Sequence, residues 1–212
     1  MRFLTCCKTF INAIMAGLFI GLAGTVYLAT PNGMLGAFLF AFGLMTILCY
    51  GFKLYTGAIG YLVTKKHNDF FPYIVTLILI WLGNLLGCWI VGTLVRYSRT
   101  YDKIAGKVNS ICADKLADSP LSLLILSFFC GILMYLAVET YRRKELGKIF
   151  RFAAIFLCVS VFILSGFEHC IANMYYFSAA NLWNINTLLT ILLMTLGNSL
   201  GGWLLPCADK VR

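Results

Sequence analysis

The stretch Leu82-Gly83-Asn84-Leu85-Leu86-Gly87-Cys88-Trp89 returns as Leu196-Gly197-Asn198-Ser199-Leu200-Gly201-Gly202-Trp203, an offset of 114 residues (82 to 196) with six of eight positions identical. At an offset of 115 (51 to 166), Gly51-Phe52-Lys53 is answered by Gly166-Phe167-Glu168. Two independent matches at nearly one spacing indicate an internal duplication. The first repeat covers about 10–97 and the second about 119–206, within a single domain of residues 1–212.

Composition states what solvent the repeats fold in. Apolar residues make up 61% of the chain, charged residues 12%, and the mean hydropathy is +0.88. Those values lie outside the range of soluble domains and imply lipid. A helix needs roughly 20 apolar residues to cross a hydrocarbon core about 30 Å thick. Six stretches qualify, near 10–30, 34–64, 72–96, 119–140, 149–178 and 186–206. Backbone polar groups in lipid must be satisfied internally, so an all-α integral membrane protein with six transmembrane helices is expected. Each repeat holds three spans, an odd number, so the second copy enters the membrane from the opposite side and the repeats are inverted.

The formal charge of +9 does not imply nucleic acid, because the basic residues lie in short clusters beside the spans. Arg2, Lys8, Lys65, Lys66, Arg142, Arg143, Lys144, Lys148, Arg151, Lys210 and Arg212 all fall on one side if the spans alternate. By the positive-inside rule that side is cytoplasmic, which puts both termini in the cytoplasm and the protein in the cell's cytoplasmic (inner) membrane. The third loop opposes this bias with Arg96, Arg99, Lys103, Lys107 and Lys115. The nine cysteines form no C-x-x-C pair and mostly sit within apolar spans, where they read as small packing residues. No metal site and no cofactor are expected.

Two stretches are too long for one upright span and too short for two. Gly51-Phe52-Lys53-Leu54-Tyr55-Thr56-Gly57 and Ser165-Gly166-Phe167-Glu168-His169-Cys170-Ile171-Ala172-Asn173 place glycines, charges and hydroxyls in apolar surroundings, where the helices of spans two and five can unwind. Irregular backbone at membrane depth is tolerated where it lines a cavity, and half-helices restarting there aim their positive dipole ends at the centre, which favours an anion. Lys53 and Glu168 occupy equivalent positions, and an unpaired charge at the bilayer centre costs about 2.5–3.5 kcal/mol or more, so the two are expected to pair and, with Asn173, to stabilise the breaks. His169 is the histidine placed in a span, and an imidazole with an unperturbed pKa of about 6.5 can donate a hydrogen bond or a proton to a weak-acid anion. His67 reads as a solvated loop residue.

Gly166-Phe167-Glu168-His169-Cys170-Ile171-Ala172-Asn173-Met174 resembles the fifth-helix signature of the formate/nitrite transporter family, and Leu54-Tyr55-Thr56-Gly57 resembles its second-helix loop. The paired Leu-Gly-Asn helices agree, and the resemblance runs from about residue 10 to 206. It implies an aquaporin-like fold, a homopentamer with a pore in each protomer, and passage of small monovalent anions such as formate, nitrite or hydrosulfide, with protons as a further partner. The resemblance places His169 between two apolar constrictions, assigns Phe40, Leu44, Leu54 and Phe162 to them, and sets Thr56 near the central loop. It makes Lys115 and Lys148 the basic residues that attract anions into the vestibules. Gly131 stands where many members carry an asparagine and Glu139 where they carry a tryptophan, a spelling closer to the hydrosulfide channels and one expected to widen the pore centre.

Two other classes are weighed. An aquaporin-like channel for small neutral solutes is expected to carry paired Asn-Pro-Ala loops, which are absent from the sequence. A membrane oxidoreductase needs facing histidine pairs or a redox-spaced cysteine pair, and the sequence offers neither, so no enzymatic activity is expected.

Overall fold

The computed structural model describes residues 2–211, all in helices and short connections. The helices are α1 (Arg2–Ala29), α2 (Gly33–Tyr50), α3 (Tyr55–Ala58), α4 (His67–Arg96), α5 (Thr100–Ala117), α6 (Pro120–Arg142), α7 (Lys148–Leu164), α8 (Cys170–Ala179) and α9 (Ile185–Val211), with a 3-10 segment at Ile59–Thr64 after α3. By length and composition α1, α2, α4, α6 and α9 can each cross a membrane. The fifth crossing is assembled from α7 and α8, which have 17 and 10 residues.

Both breaks begin with the same stop signal. At the end of α2, Gly51 takes φ 71°, its N–H bonds the Leu48 carbonyl at 3.3 Å, and the Phe52 N–H bonds the Ile47 carbonyl at 2.9 Å. At the end of α7, Gly166 takes φ 68°, with Gly166 N–H to Ile163 at 3.1 Å and Phe167 N–H to Phe162 at 2.9 Å. This is the Schellman arrangement, which needs a left-handed residue and therefore favours glycine.

The extended residues that follow are held by the two repeated asparagines. Asn84 of α4 accepts the Tyr55 N–H at 2.9 Å and donates to the Ala13 and Lys53 carbonyls, both at 2.8 Å. Asn198 of α9 accepts the Cys170 N–H at 2.9 Å and donates to Ser127 at 2.7 Å and Glu168 at 2.8 Å. Lys53 N–H bonds the Asn12 carbonyl at 3.2 Å, and Glu168 N–H bonds the Leu126 carbonyl at 3.3 Å. Each buried amide therefore ties three helices to one stretch of unwound backbone.

Close helix approach puts those asparagines within reach. A Cβ at Gly87 would overlap the Ile14 carbonyl oxygen, and one at Gly201 would overlap that of Phe128, so α1 packs on α4 and α6 on α9 nearly backbone to backbone. Every residue of α8 is buried, which puts this short helix at the centre of the bundle.

The restarts differ. His169 caps α8 through its own ring, Nδ1 accepting the Ala172 N–H at 3.2 Å, whereas Leu54 provides no side-chain cap for α3. After four residues α3 tightens into the 3-10 segment. The region between spans three and four, read from the sequence as a loop, is instead the 18-residue helix α5, whose Ile104, Val108 and Cys112 are buried against the bundle.

Replacing Asn198 by Ala removes one acceptor and two donors and leaves buried backbone groups unpaired at about 1–3 kcal/mol each. The Asn198→Ala protein is expected to melt well below the parent in detergent, with Asn84→Ala showing the same loss, and circular dichroism melts measure both.

Candidate functional site

Two cavities enter the bundle from opposite faces. One, of about 360 Å3, is lined by Thr9 near the start of α1, by the first break from Gly51 to Leu54, and by Arg142 at the end of α6. The other, of about 240 Å3, is lined by Tyr27 near the end of α1, by α5 residues, and by the second break from Gly166 to His169. Tyr27 lies 18 positions after Thr9 on α1 (27 − 9), which at 1.5 Å per residue is about 27 Å, most of a membrane's apolar thickness. Here the first is called the termini-face cavity and the second the α5-face cavity.

Between them lie the side chains singled out from the sequence. Leu44 and Leu54 border the termini-face cavity. Phe162 and His169 border the α5-face cavity. Phe40 is buried against Phe162, ring centroids 5.9 Å apart and perpendicular, and Phe162 lies 5.7 Å from the imidazole. Thr56, fully buried, meets His169 across the gap between the two breaks, with Thr56 Oγ1 and His169 Nε2 2.8 Å apart.

The hydrogen bonds assign the imidazole tautomer. Nδ1 accepts the Ala172 N–H, so it carries no proton, and the ring hydrogen sits on Nε2. Nε2–H then donates to Thr56 Oγ1, which leaves the threonine O–H free to donate elsewhere. A proton added at Nδ1 would break the cap of α8. The N-terminus of α8, a ten-residue helix buried on all sides, points its positive dipole end into the same region, although the N–H groups of Cys170, Ala172 and Asn173 are already bonded.

Glu168 is not paired with Lys53. Its carboxylate accepts both bonds from the Lys115 ammonium, at 2.6 and 2.5 Å, and a third from Asn173 Nδ2 at 2.7 Å. Lys53 is exposed and lines the termini-face cavity, while only its backbone N–H and carbonyl contribute to the break. The physical reason is the inversion: equivalent residues of inverted repeats face opposite sides, so the partner of Glu168 has to come from the α5 face. Helix α5, unrecognised in the sequence, supplies it.

The two vestibule lysines also differ from expectation. Lys115 lines the α5-face cavity, but its charge is engaged by Glu168. Lys148 stands exposed at the first position of α7 on an outer groove with Phe38, Phe152 and Phe156, and lines neither of the two cavities. Arg142 takes the place at the termini face that sequence reasoning gave to Lys148. Gly131 does not widen the pore centre. It faces the backbone of Asn198, where a Cβ would overlap the carbonyl oxygen, just as Gly17 faces Asn84. Glu139 accepts a bond from the Tyr61 hydroxyl at 2.7 Å and one from Arg143 at 3.2 Å.

With this geometry in view, comparison with known proteins decides the lineage. The family model described as formate/nitrite transporter matches residues 3–208. The chain belongs to the formate/nitrite transporter family. Among relatives, the nitrite transporter NirC of Escherichia coli strain K12 is 27% identical over 215 residues, covering 91% of this chain and 78% of NirC. The formate channel FocB of the same strain is 24% identical over 184 residues, covering 79% of this chain and 64% of FocB. The fold is that of a solved pentameric formate channel with formate bound, at a TM-score of 0.85 and 24% identity, covering 98% of this chain and 96% of that one. These relatives are transporters and channels, not enzymes.

Within this family member the Lys115–Glu168 pair is mostly buried, with side-chain exposures of 14% and 7%. Removing one partner of such a pair costs about 3–5 kcal/mol because the other charge is left uncompensated. Glu168→Gln is expected to lower the detergent melting temperature strongly. A Lys115→Gln, Glu168→Gln double variant should recover more than half of that loss, and a double-mutant cycle reads the coupling.

Proposed function

We propose that the protein is a homopentameric channel of the cytoplasmic membrane, each protomer a single domain of two inverted three-helix repeats that passes small monovalent anions such as formate, nitrite or hydrosulfide. The observation that carries this reading is the 2.8 Å contact between Thr56 and His169 where the two broken spans meet, between cavities from opposite faces. The cytoplasmic side is the one that carries the termini, from the clustering of basic residues there.

An anion entering from either cavity meets side chains with no polar atoms: Leu44 and Leu54 on one side, Phe40 and Phe162 on the other. Stripping its hydration is expensive in such surroundings. The compensation lies between these barriers, where the Thr56 O–H, held by His169 Nε2–H, can donate to the anion. A hydroxyl that is already accepting a hydrogen bond is polarised and becomes a better donor. The α8 N-terminus adds fixed positive potential without placing a full cation in the path, so binding is favourable enough to admit an anion and weak enough to release it.

His169 on this reading acts as a neutral donor that orients Thr56. A pore for neutral solutes has no use for this one-signed arrangement of donors and dipole, which favours the anion reading over the neutral-solute alternative. Relayed water can still supply a proton to the permeant weak acid, with protons as co-permeants.

His169→Asn retains a side-chain oxygen able to cap α8 and should fold, while losing the reach to Thr56. In proteoliposomes its formate and nitrite fluxes are expected to change several-fold or lose their pH dependence. Parent-like flux at every pH between 5 and 8 would overturn the assignment. Thr56→Val, which keeps the shape and removes the hydroxyl, should reduce flux in the same assay.

A further inference from the structure

The two mouths of the pore carry unlike charge, although duplicated breaks line both. At the termini face, three tyrosines that line the cavity each carry a cation over the ring. Lys65 lies 4.4 Å from the centroid of Tyr73, Arg142 4.5 Å from that of Tyr61, and Arg151 4.7 Å from that of Tyr141. Lys53 adds a further ammonium on the cavity wall. A ring holds a cation in place without cancelling its charge. Among the described residues the ion pairs are Lys115–Glu168, Arg143–Glu139 and Arg143–Asp209, so these four cations have no carboxylate partner there. The nearby acid, Glu139, is already held by the Tyr61 hydroxyl and Arg143.

The α5-face mouth is the reverse. Its charged lining consists of Asp114, Lys115, Asp118 and Glu168, with the one ammonium chelated by Glu168. Asp118 accepts bonds from Ser119 N–H and the Ser122 hydroxyl, which fix its carboxylate without neutralising it. Lys107, two turns before Asp114 on α5, bonds the carbonyl of Tyr27 at 3.0 Å and lies 4.1 Å from its ring, so it counts as one uncancelled cation beside this mouth, against the two carboxylates Asp114 and Asp118 that have no cation partner among the described residues. Carboxylates therefore outnumber free ammonium groups along this wall.

We infer that anion capture is one-sided: Lys53, Lys65, Arg142 and Arg151 form a cationic collar at the termini-face mouth, and the acidic α5-face mouth admits anions more slowly. This rests on the anion-pore reading above and adds which face captures. Each cation roughly 8 Å from the path in water raises the local anion concentration about two-fold. Several acting together set the entry rate at that mouth.

In a passive pore at zero voltage, the ratio of maximal rate to half-saturation concentration is the same in both directions. Unequal entry therefore appears as unequal half-saturation concentrations, lower on the faster-capturing face. Vesicles captured through a C-terminal tag all expose the termini face, so uptake of radiolabelled formate or nitrite reads that face and efflux reads the other, with voltage clamped by potassium and valinomycin. At low ionic strength the half-saturation for uptake is expected to be at least about three-fold below that for efflux, closing toward equality near 0.5 M salt as the screening length falls. K53Q with R142Q should raise the uptake value and bring the ratio toward one, the charge-retaining K53R with R142K should not, and D114N should lower the efflux value. Equal half-saturation at low salt in the parent, or an unaltered ratio in K53Q with R142Q, overturns the inference and leaves the anion pore standing. Absence of formate, nitrite and hydrosulfide flux in both directions defeats the anion pore and the inference with it.

Discussion

A polypeptide that unwinds inside a membrane must find hydrogen-bond partners for its backbone without water, and this constraint organises the whole bundle. Asn84 and Asn198 satisfy it. Each is a side chain with one strong acceptor and two donors, and each spends all of them on backbone groups of the break and of a neighbouring helix. The small residues around them follow from the same need. Only where helices approach nearly to backbone contact can one amide span an unwound strand, its own helix and a third.

The breaks are equal in how they stop and unequal in how they resume. Glycine at a left-handed position ends both helices in the same pattern. His169 then caps α8 through Nδ1, while the matched Leu54 leaves α3 uncapped and winding into a 3-10 segment. One ring thus performs two tasks: the cap fixes the tautomer, and the tautomer decides which atom faces Thr56. The orientation of the imidazole toward Thr56 follows from a folding requirement of the helix beneath it.

The inversion also explains how the charges are distributed. Lys53 and Glu168 are equivalent in the duplication, and sequence symmetry suggests that they meet. In space the symmetry operation carries them to opposite mouths, and each acquires the neighbours of its own side. Glu168 is neutralised by Lys115 from α5, a helix with no counterpart in the duplicated pattern, while Lys53 joins the uncancelled cations of the other face.

Much of the fold was legible in the residues themselves. The six apolar stretches, the duplication in Leu82–Trp89 and Leu196–Trp203, and the two breaks are local or periodic features, and hydropathy with glycine placement is enough to determine them. The contact of Thr56 with His169 joins two residues that the sequence already singled out, because polar groups in lipid stand out against their surroundings. What the tertiary structure alone decided was partnership and facing. Lys115 against Glu168, Arg142 in place of Lys148 at the termini-face mouth, and Gly131 against the Asn198 backbone all join residues distant in sequence. Their pairing depends on which way each helix is rotated, and a list of residues does not contain that rotation, because packing across the whole bundle sets it.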